Sequence, residues 1–326
     1  MRAVIVREPG GVEVLEQREV ADPEPRDGEL LVRVKAAGVN RADVLQRRGR
    51  YPAPADAPQD ILGLEFAGEV EACGRAVSRF RPGDRVMGVV GGGACAERLV
   101  IHERIALPVP RGLGFAEAAA IPEAFLTAFD AALLQGALEP GNWLLVHAVG
   151  SGVGTAAVQL ARLVNARTVG TARSEAKIAR ARGLGLDVGL VLDKPLFADE
   201  VKRRTGGPGA DVVLDLVGGA YLEENLRAMA PLGRQIVVGL VAGSSASLSL
   251  GLLLAKRLTL RGTVLRSRSL EERAALALEF ERQILPQFEQ GALRPIVDRV
   301  LPMAEIAEAH RLIEANASFG KLVLSW

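Results

Sequence analysis

Trp143-Leu144-Leu145-Val146-His147-Ala148-Val149-Gly150-Ser151-Gly152-Val153-Gly154 carries a short apolar run into glycines, and Thr155-Ala156-Ala157-Val158-Gln159-Leu160-Ala161-Arg162 continues it with the spacing of a helix. Strand, glycine turn and helix in that order cradle a diphosphate. A helix opening leaves backbone N–H groups unpaired and carries the positive end of the helix dipole. Gly150, Gly152 and Gly154 lack a Cβ, so the main chain is expected to turn tightly there and approach a ligand. Ser151, Gly152, Val153 and Gly154 are therefore the candidate pyrophosphate contacts. Thr155 stands where G-x-G-x-x-G has its last glycine, so the surrounding βαβ unit must separate this reading from an ordinary strand-to-helix turn.

Arg167-Thr168-Val169-Gly170-Thr171-Ala172 reads as the second strand of that unit, and Arg173-Ser174-Glu175-Ala176-Lys177 as the start of a second helix. NAD-binding domains place an Asp or Glu about 20 residues past the glycines, on the ribose 2′-hydroxyl. Arg173 occupies that region here. Arg173, Ser174 and Lys177 converging on a 2′-phosphate would form charge-assisted bonds, which predicts NADP rather than NAD. The alternative is a solvated helix start with incidental cations.

At 326 residues the chain is expected to form two domains, and 49% hydrophobic content supplies their cores. Forty basic and 39 acidic residues give a formal charge of +1, which offers no global field for nucleic acid or membrane. The start, Met1 to Glu8, is too short in apolar residues for a signal peptide, and the cytoplasm is the expected location. Cys73 and Cys95 are expected as free thiols.

Before the glycine turn, Ala3 to Val6, Leu30 to Val34, Leu64 to Val70 and Arg85 to Val89 alternate with Gly, Pro and Asp, the rhythm of a barrel-like β domain. From Phe115 to Leu134 the pattern turns helical, with Phe125 and Phe129 four apart. Strand and helix then alternate: Asp211 to Leu216, Ala220 to Met229, Arg234 to Leu240, Leu252 to Lys256 and Leu258 to Val264. That alternation argues for a doubly wound parallel sheet, with Gly218 and Gly239 at strand ends where ligands bind in such sheets, or where loops simply turn. The remaining residues offer a helix from Leu270 to Phe288, a strand from Ile296 to Val300, a helix from Ala304 to Ala315 and a final strand at Leu322 to Leu324. They are too few for a third core and are expected to fold back onto the first domain.

Ala37-Gly38-Val39-Asn40-Arg41-Ala42-Asp43 followed by Gly49 and Tyr51, Leu62-Gly63-Leu64-Glu65-Phe66-Ala67-Gly68, and Phe80-Arg81-Pro82-Gly83-Asp84-Arg85-Val86 appear in this order. Together they resemble the medium-chain dehydrogenase/reductase superfamily, and within it the zinc-free quinone oxidoreductases. The run His147 to Gln159, with Asp215 to Gly219, Leu265 to Arg268 and Gln283 to Pro286, is similar to the tumour-suppressor-inducible quinone oxidoreductase subgroup. The resemblance implies an α/β fold: a GroES-like β-barrel catalytic domain from residues 1–121 and 265–326, enclosing a Rossmann NADP-binding domain of residues 122–264, with the active site in the cleft between. It also implies NADPH as hydride donor. Ala148 and Gly154 match the Ala-x-x-Gly-x-x-Gly of relatives, with Ser151 at the middle place. A tyrosine that helps relatives bind the 2′-phosphate is replaced by Leu192, so selectivity rests on Arg173 and Lys177. Thr127, Gly239, Leu240, Leu265 and Arg266 match positions touching the nicotinamide half, and Asn316 and Lys321 match positions closing the same cleft.

Zinc-dependent relatives place a Cys where this chain has Asn40 and a His where it has Leu64. Neither replacement is a good zinc ligand, and His102, His147 and His310 show no ligand spacing, so no metal is expected. His102 reads as part of a polar turn, His310 as part of a charged helix, and His147 as a strand-end residue with a structural hydrogen bond. Hydride transfer without a metal needs a donor for the developing oxyanion. Asn40 and Tyr51 match family positions lining the nicotinamide cleft. An Asx turn at Asn40 and a rim tyrosine at Tyr51 are the competing readings.

The expected activity is NADPH-dependent reduction of quinones. The alternatives are reduction of α,β-unsaturated carbonyls, or of enoyl thioesters held by Arg41, Arg47, Arg48 and Arg50, and non-catalytic NADPH binding. Leu258 to Val264 reads as an apolar edge strand, and relatives pair such edges, which predicts a homodimer. The lack of an aromatic and basic stripe argues against nucleic acid as a partner.

Overall fold

Short apolar runs punctuated by Gly, Pro and Asp become the strands of the first unit, because each alternation gives a strand one face to bury and one to solvate. In the computed structural model, which describes residues 1–326, the N-terminal part contains β1 (Arg2–Val6), β2 (Leu15–Glu19), β3 (Glu29–Val39), α1 (Arg41–Arg47), β4 (Glu65–Cys73), β5 (Arg85–Val89), β6 (Arg98–His102), β7 (Leu107–Pro108), α2 (Phe115–Ala118) and α3 (Pro122–Ala128). The middle part contains β8 (Trp143–Val146), α4 (Gly152–Leu163), β9 (Arg167–Ala172), α5 (Glu175–Arg182), β10 (Val188–Val191), α6 (Ala198–Arg204), β11 (Ala210–Asp215), α7 (Leu222–Ala228), β12 (Met229–Val237), α8 (Leu250–Lys256) and β13 (Thr259–Gly262). The tail contains α9 (Leu270–Gln283), α10 (Leu285–Glu289), β14 (Val297–Pro302), α11 (Ile306–Glu314) and β15 (Lys321–Ser325). One compact unit comprises Met1–Leu126 with Leu265–Trp326, and the other Thr127–Val264.

In the first unit a seven-stranded sheet runs β14-β15-β3-β4-β5-β7, with β6 paired to β3. β15, the last strand of the chain, lies antiparallel against β3, pairing Leu322 with Val39. Leu30, Val32, Phe66, Val86, Leu322 and Leu324 fill the core beneath. This pairing places the start of β15, the end of β3 and the start of β4 side by side.

In the second unit six parallel strands run β10-β9-β8-β11-β12-β13. Strand order reverses between β8 and β11, the topological switch point at which doubly wound sheets bind nucleotides. Leu145, Val169, Val201, Val213 and Leu226 are fully buried in its core.

The structure differs from the sequence reading at three elements. The helix expected over Phe115 to Leu134 is three pieces: α2, α3 and a π-helical stretch at Phe129–Gln135. Pro122 opens α3, where its missing N–H costs nothing. Within the widened coil, buried Asp130 accepts hydrogen bonds from Gln135 Nε2 (2.6 Å) and Thr263 Oγ1 (2.9 Å). The helix expected over Leu270 to Phe288 breaks at Ile284, two residues before Pro286, whose ring cannot donate to a preceding carbonyl. The strand expected from Arg234 starts five residues earlier, because Met229 also pairs with Ala210 across a bulge.

Candidate active site

The switch point gathers the residues predicted to hold a dinucleotide in the second unit. Ser151 is the N-cap of α4, and its Oγ accepts from Gly154 N–H at 3.0 Å, while Ser151 N–H donates to Ala148 O at 2.8 Å. Two of the four candidate amides are therefore committed to the turn itself. Those of Gly152 and Val153 remain directed outward from the helix opening, and the Ser151 hydroxyl keeps its proton to donate. The glycines work differently from the expectation of tight turning. The left-handed residue of the turn is Ala148 (φ 49°), and none of Gly150, Gly152 and Gly154 has positive φ. Gly154 is required by space instead: a Cβ there would lie 2.6 Å from Ala148 O and 2.7 Å from Val149 Cα, both backbone. This close approach of helix and turn shapes a cradle that fits a dinucleotide.

Arg173 is exposed at the end of β9, Ser174 caps α5 by accepting from Lys177 N–H (3.4 Å), and Lys177 lies one turn inside. Leu192 follows β10 and packs against the unit's core, so it contributes no polar group. Gly218, Gly239 and Leu240 come together: a Cβ on Gly218 would meet Leu240 Cδ2 at 2.9 Å and Gly239 O at 3.0 Å. Thr127 is buried in α3.

Beneath these loops runs a buried polar chain, of which sequence reading gave only the structural hydrogen bond of His147. Asp215 accepts from Val217 N–H (2.9 Å), Gly218 N–H (2.8 Å), Gln235 Nε2 (2.7 Å) and Asn225 Nδ2 (3.1 Å). With its amide donating to that carboxylate, Asn225 turns Oδ1 to His147 Nε2 (2.6 Å), which must be the protonated nitrogen. Thr171 then donates to His147 Nδ1 (2.9 Å). Burial pushes the His147 pKa down, in agreement with a neutral ring held for structure. The chain ties the ends of β8, β9, β11 and β12 and fixes Gly218 at φ 68°.

In the first unit Asn40, Tyr51, Arg266 and Lys321 join a second polar cluster. Glu65, fully buried at the start of β4, accepts from Lys321 Nζ (2.5 Å), Asn40 Nδ2 (2.9 Å) and Glu123 N–H (2.8 Å). Gly38 makes room for it, since a Cβ would sit 2.4 Å from Glu65 Oε1. Lys321 Nζ also donates to Asn40 Oδ1 (2.6 Å) and Val39 O (2.9 Å). This corrects two expectations. The three N–H groups of Lys321 are all committed inside the unit, and both ends of the Asn40 amide are held, so neither is a free donor toward a ligand. Asn40 N–H donates to Asp43 Oδ2 (2.7 Å) at the start of α1, while its side chain is taken by Glu65 and Lys321 rather than by an Asx turn. Burial raises the Asp43 carboxyl to about 6.

Tyr51 keeps its hydroxyl. Arg266 lies over its ring at 5.1 Å, donates to Tyr51 O (3.2 Å) and is anchored by Gly91 O (2.7 Å) and Gln46 Oε1 (2.6 Å). Burial raises the Tyr51 pKa, with Glu123 adding to it. Arg266 is thus a brace for Tyr51, and Leu265 beside it is buried. Asn316, at φ 52° after α11, accepts from Arg41 (2.7 Å). Arg47 is wholly buried, bonded to Gly10 O (3.1 Å), His310 Nδ1 (3.2 Å) and Glu314, and Arg48 pairs with Glu314 (2.6 Å). Of the four arginines proposed to hold a thioester, three serve the fold and Arg50 alone has a side chain with no hydrogen bond or ion pair to the protein. His310, expected on a charged face, is fully buried beside Arg47.

The chain matches the family model "Zinc-binding dehydrogenase" over residues 152–280 and "Alcohol dehydrogenase GroES-like domain" over residues 26–130. The quinone oxidoreductase of Lama guanicoe is 32% identical over 99% of this chain and 97% of its own. Among solved structures, Escherichia coli quinone oxidoreductase complexed with NADPH superposes with a TM-score of 0.91 at 27% identity, covering 100% of both chains. A structure described as an NAD-dependent alcohol dehydrogenase gives 0.88 at 37% identity, again over 100% of both. Fold and crevice together define an oxidoreductase that uses a nicotinamide cofactor. The chain belongs to the medium-chain dehydrogenase/reductase superfamily, in its quinone oxidoreductase branch.

The zinc in the first model's description does not fit these residues. Leu64 offers no donor atom, the Asn40 amide is held at both ends, and the Lys321 ammonium already neutralises Glu65 at that corner. No group of three or more His, Cys, Asp or Glu side chains comes together to hold a metal ion. No helix is long and apolar enough to cross a membrane.

Proposed function

We propose that the protein catalyses NADPH-dependent, metal-independent reduction of quinones. The observation that carries the reading is the pairing of a Gly154-shaped phosphate cradle with two cations, Arg173 and Lys177, at the end of the neighbouring strand. Gly152 and Val153 N–H and the Ser151 hydroxyl hold the pyrophosphate. Arg173, Ser174 and Lys177 select the 2′-phosphate, and Gly218, Gly239 and Leu240 line the approach of the remainder. When bound, the reduced nicotinamide supplies the hydride. The protein's share is to position, exclude water and stabilise the oxyanion that forms on the acceptor, for which the Tyr51 hydroxyl is the available donor.

The test is loss of NADPH absorbance with a panel of quinones. Charge reversal at Arg173 and Lys177 should weaken NADPH by at least about tenfold, the loss of a charge-assisted contact, while NADH binding changes little. Equal loss for both coenzymes would contradict the 2′-phosphate assignment. Higher catalytic efficiency with unsaturated carbonyls would reassign the acceptor. Two copies pairing through β13 form the assembly we infer from its exposed edge: Thr259, Arg261 and Gly262 are exposed, and Leu254 on the preceding α8 is 81% exposed.

A further inference from the structure

The reaction proposed above needs a proton as well as a hydride, and the cluster around Glu65 contains a carboxyl with no structural task. Glu123 is the second residue of α3, directly after Pro122, and its backbone N–H is fixed to Glu65 Oε2 at 2.8 Å. Its side chain is largely though not wholly buried and accepts no hydrogen bond from the protein. Every other charged side chain of the cluster is bonded: Glu65 to Lys321 and Asn40, Asp43 to Asn40 and Gly63 N–H (3.2 Å), and Arg266 to Gly91, Tyr51 O and Gln46. The charged groups that face Glu123 come from each surrounding element: Glu65 from β4, Lys321 from β15, Asp43 from α1, and Arg266 from the segment after β13. Tyr51, on the loop after α1, lies within the electrostatic reach of the Glu123 carboxyl, which helps raise its pKa after burial. The one ammonium in direct contact with a carboxylate here is claimed by Glu65, so Glu123 has no ion pair of its own.

We propose that Glu123 is the proton donor of the reaction, delivering its carboxyl proton to the reduced acceptor's oxygen in company with the Tyr51 hydroxyl. The inference rests on the quinone reductase reading. The balance is complete: NADPH, a quinone and one proton give NADP⁺ and a hydroquinone. In that sum the nicotinamide loses two electrons with the hydride and the quinone gains them. The O–H bond of Glu123 breaks as an O–H bond forms on the hydroquinone, and the carboxylate left behind recovers its proton from water. Burial and the neighbouring Glu65 carboxylate raise the Glu123 pKa to about 8, so the acid form is the resting state at neutral pH.

Two measurements on the full chain test this. The first needs no turnover: infrared titration of the cofactor-free protein should show a protonated-carboxyl carbonyl band that persists at pH 7, disappears as pH rises through about 8, and is missing from Glu123→Gln. Absence of that band at neutral pH overturns the proposal. The second compares pH profiles of kcat/KM for quinone reduction. The unsubstituted enzyme should lose rate above pH about 8. Glu123→Gln, which keeps shape and neutrality, should be slower by about 100-fold, the usual worth of a general acid, and lack that limb. An unchanged rate and profile in Glu123→Gln, with the limb removed instead by Tyr51→Phe, assigns the proton to the tyrosine and overturns the proposal. No quinone turnover by the unsubstituted enzyme overturns the reductase reading and the donor role with it, while the infrared band separately decides the state of the carboxyl.

Discussion

At the scale of residues, small groups decide what the larger elements do. Gly154→Ala would press a Cβ into the carbonyl of Ala148 and the Cα of Val149, backbone atoms that cannot rotate away. Overpacking of this kind costs about 1–3 kcal/mol, so chemical denaturation should register that loss and calorimetry should show NADPH binding weakened or abolished. Ser151→Ala removes the acceptor for Gly154 N–H and should cost about 1 kcal/mol as a lost N-cap. Arg47 is the strongest case, a fully buried guanidinium whose partners Glu314, His310 and Gly10 come from distant parts of the chain. Arg47→Ala should destabilise by about 2–5 kcal/mol, measured by denaturant titration, because it leaves a cavity and takes the donor from Gly10 O, while Glu314 keeps Arg48. In the sequence this residue is one arginine in a basic run and reads as a ligand clamp; burial, which periodicity in a short helix does not reveal, makes it structural.

At the scale of elements, proline and long-range polar contacts override the helical pattern. The Ala-rich stretch after Phe115 has the propensity for one helix, yet Pro122 restarts it, and Asp130, held by Gln135 and Thr263, coincides with a widened π-helical coil. The parallel strands behave otherwise. Five of the six were legible as apolar runs whose ends alone moved, because a strand buried in the sheet leaves a continuous signature, whereas the half-exposed β10 (Val188–Val191) went unread. β13 carries the element-scale prediction. Light scattering should report a dimer, and Leu254→Glu, which places a charge on the helix before this edge, should shift the population toward monomer. Monomer alone in the unsubstituted protein would remove the pairing proposal.

At the scale of the whole molecule, buried titratable groups set the response to pH. His310 is held down to about 3 by burial, with Arg47 contributing, against an ordinary value of 6.5. Between those values the unfolded chain binds a proton that the native state does not, so stability falls as pH drops from 6.5 toward 3. The slope approaches about 1.4 kcal/mol per pH unit. Glu123 and Asp43 act in the opposite sense, since their raised values mean the native state holds protons the unfolded chain releases, and stability falls as pH rises toward about 8 and about 6 respectively. Comparing urea unfolding of the unsubstituted protein with His310→Gln across pH 3 to 7 isolates the first effect: the gap between the two should narrow on acidification. Coenzyme should add to stability by mass action, about 2.7 kcal/mol when NADPH is present at 100 times its Kd, and a thermal scan should show this gain diminished after charge reversal at Arg173 and Lys177.

The sequence by itself determined the class of protein: the strand, turn and helix around Ser151, the alternation that follows, and the turn-punctuated runs before it are local patterns, and local patterns are set by backbone geometry a few residues at a time. Only the tertiary structure decided how the polar residues are used. Glu123 N–H and Glu65 lie 58 residues apart, and Lys321 and Asn40 are separated by 281. They meet because β15 pairs with β3 beside β4. A charge's partner and its exclusion from water are properties of that closed sheet, so Lys321 passed from ligand contact to buried brace and Glu123 emerged from an unremarked helix start.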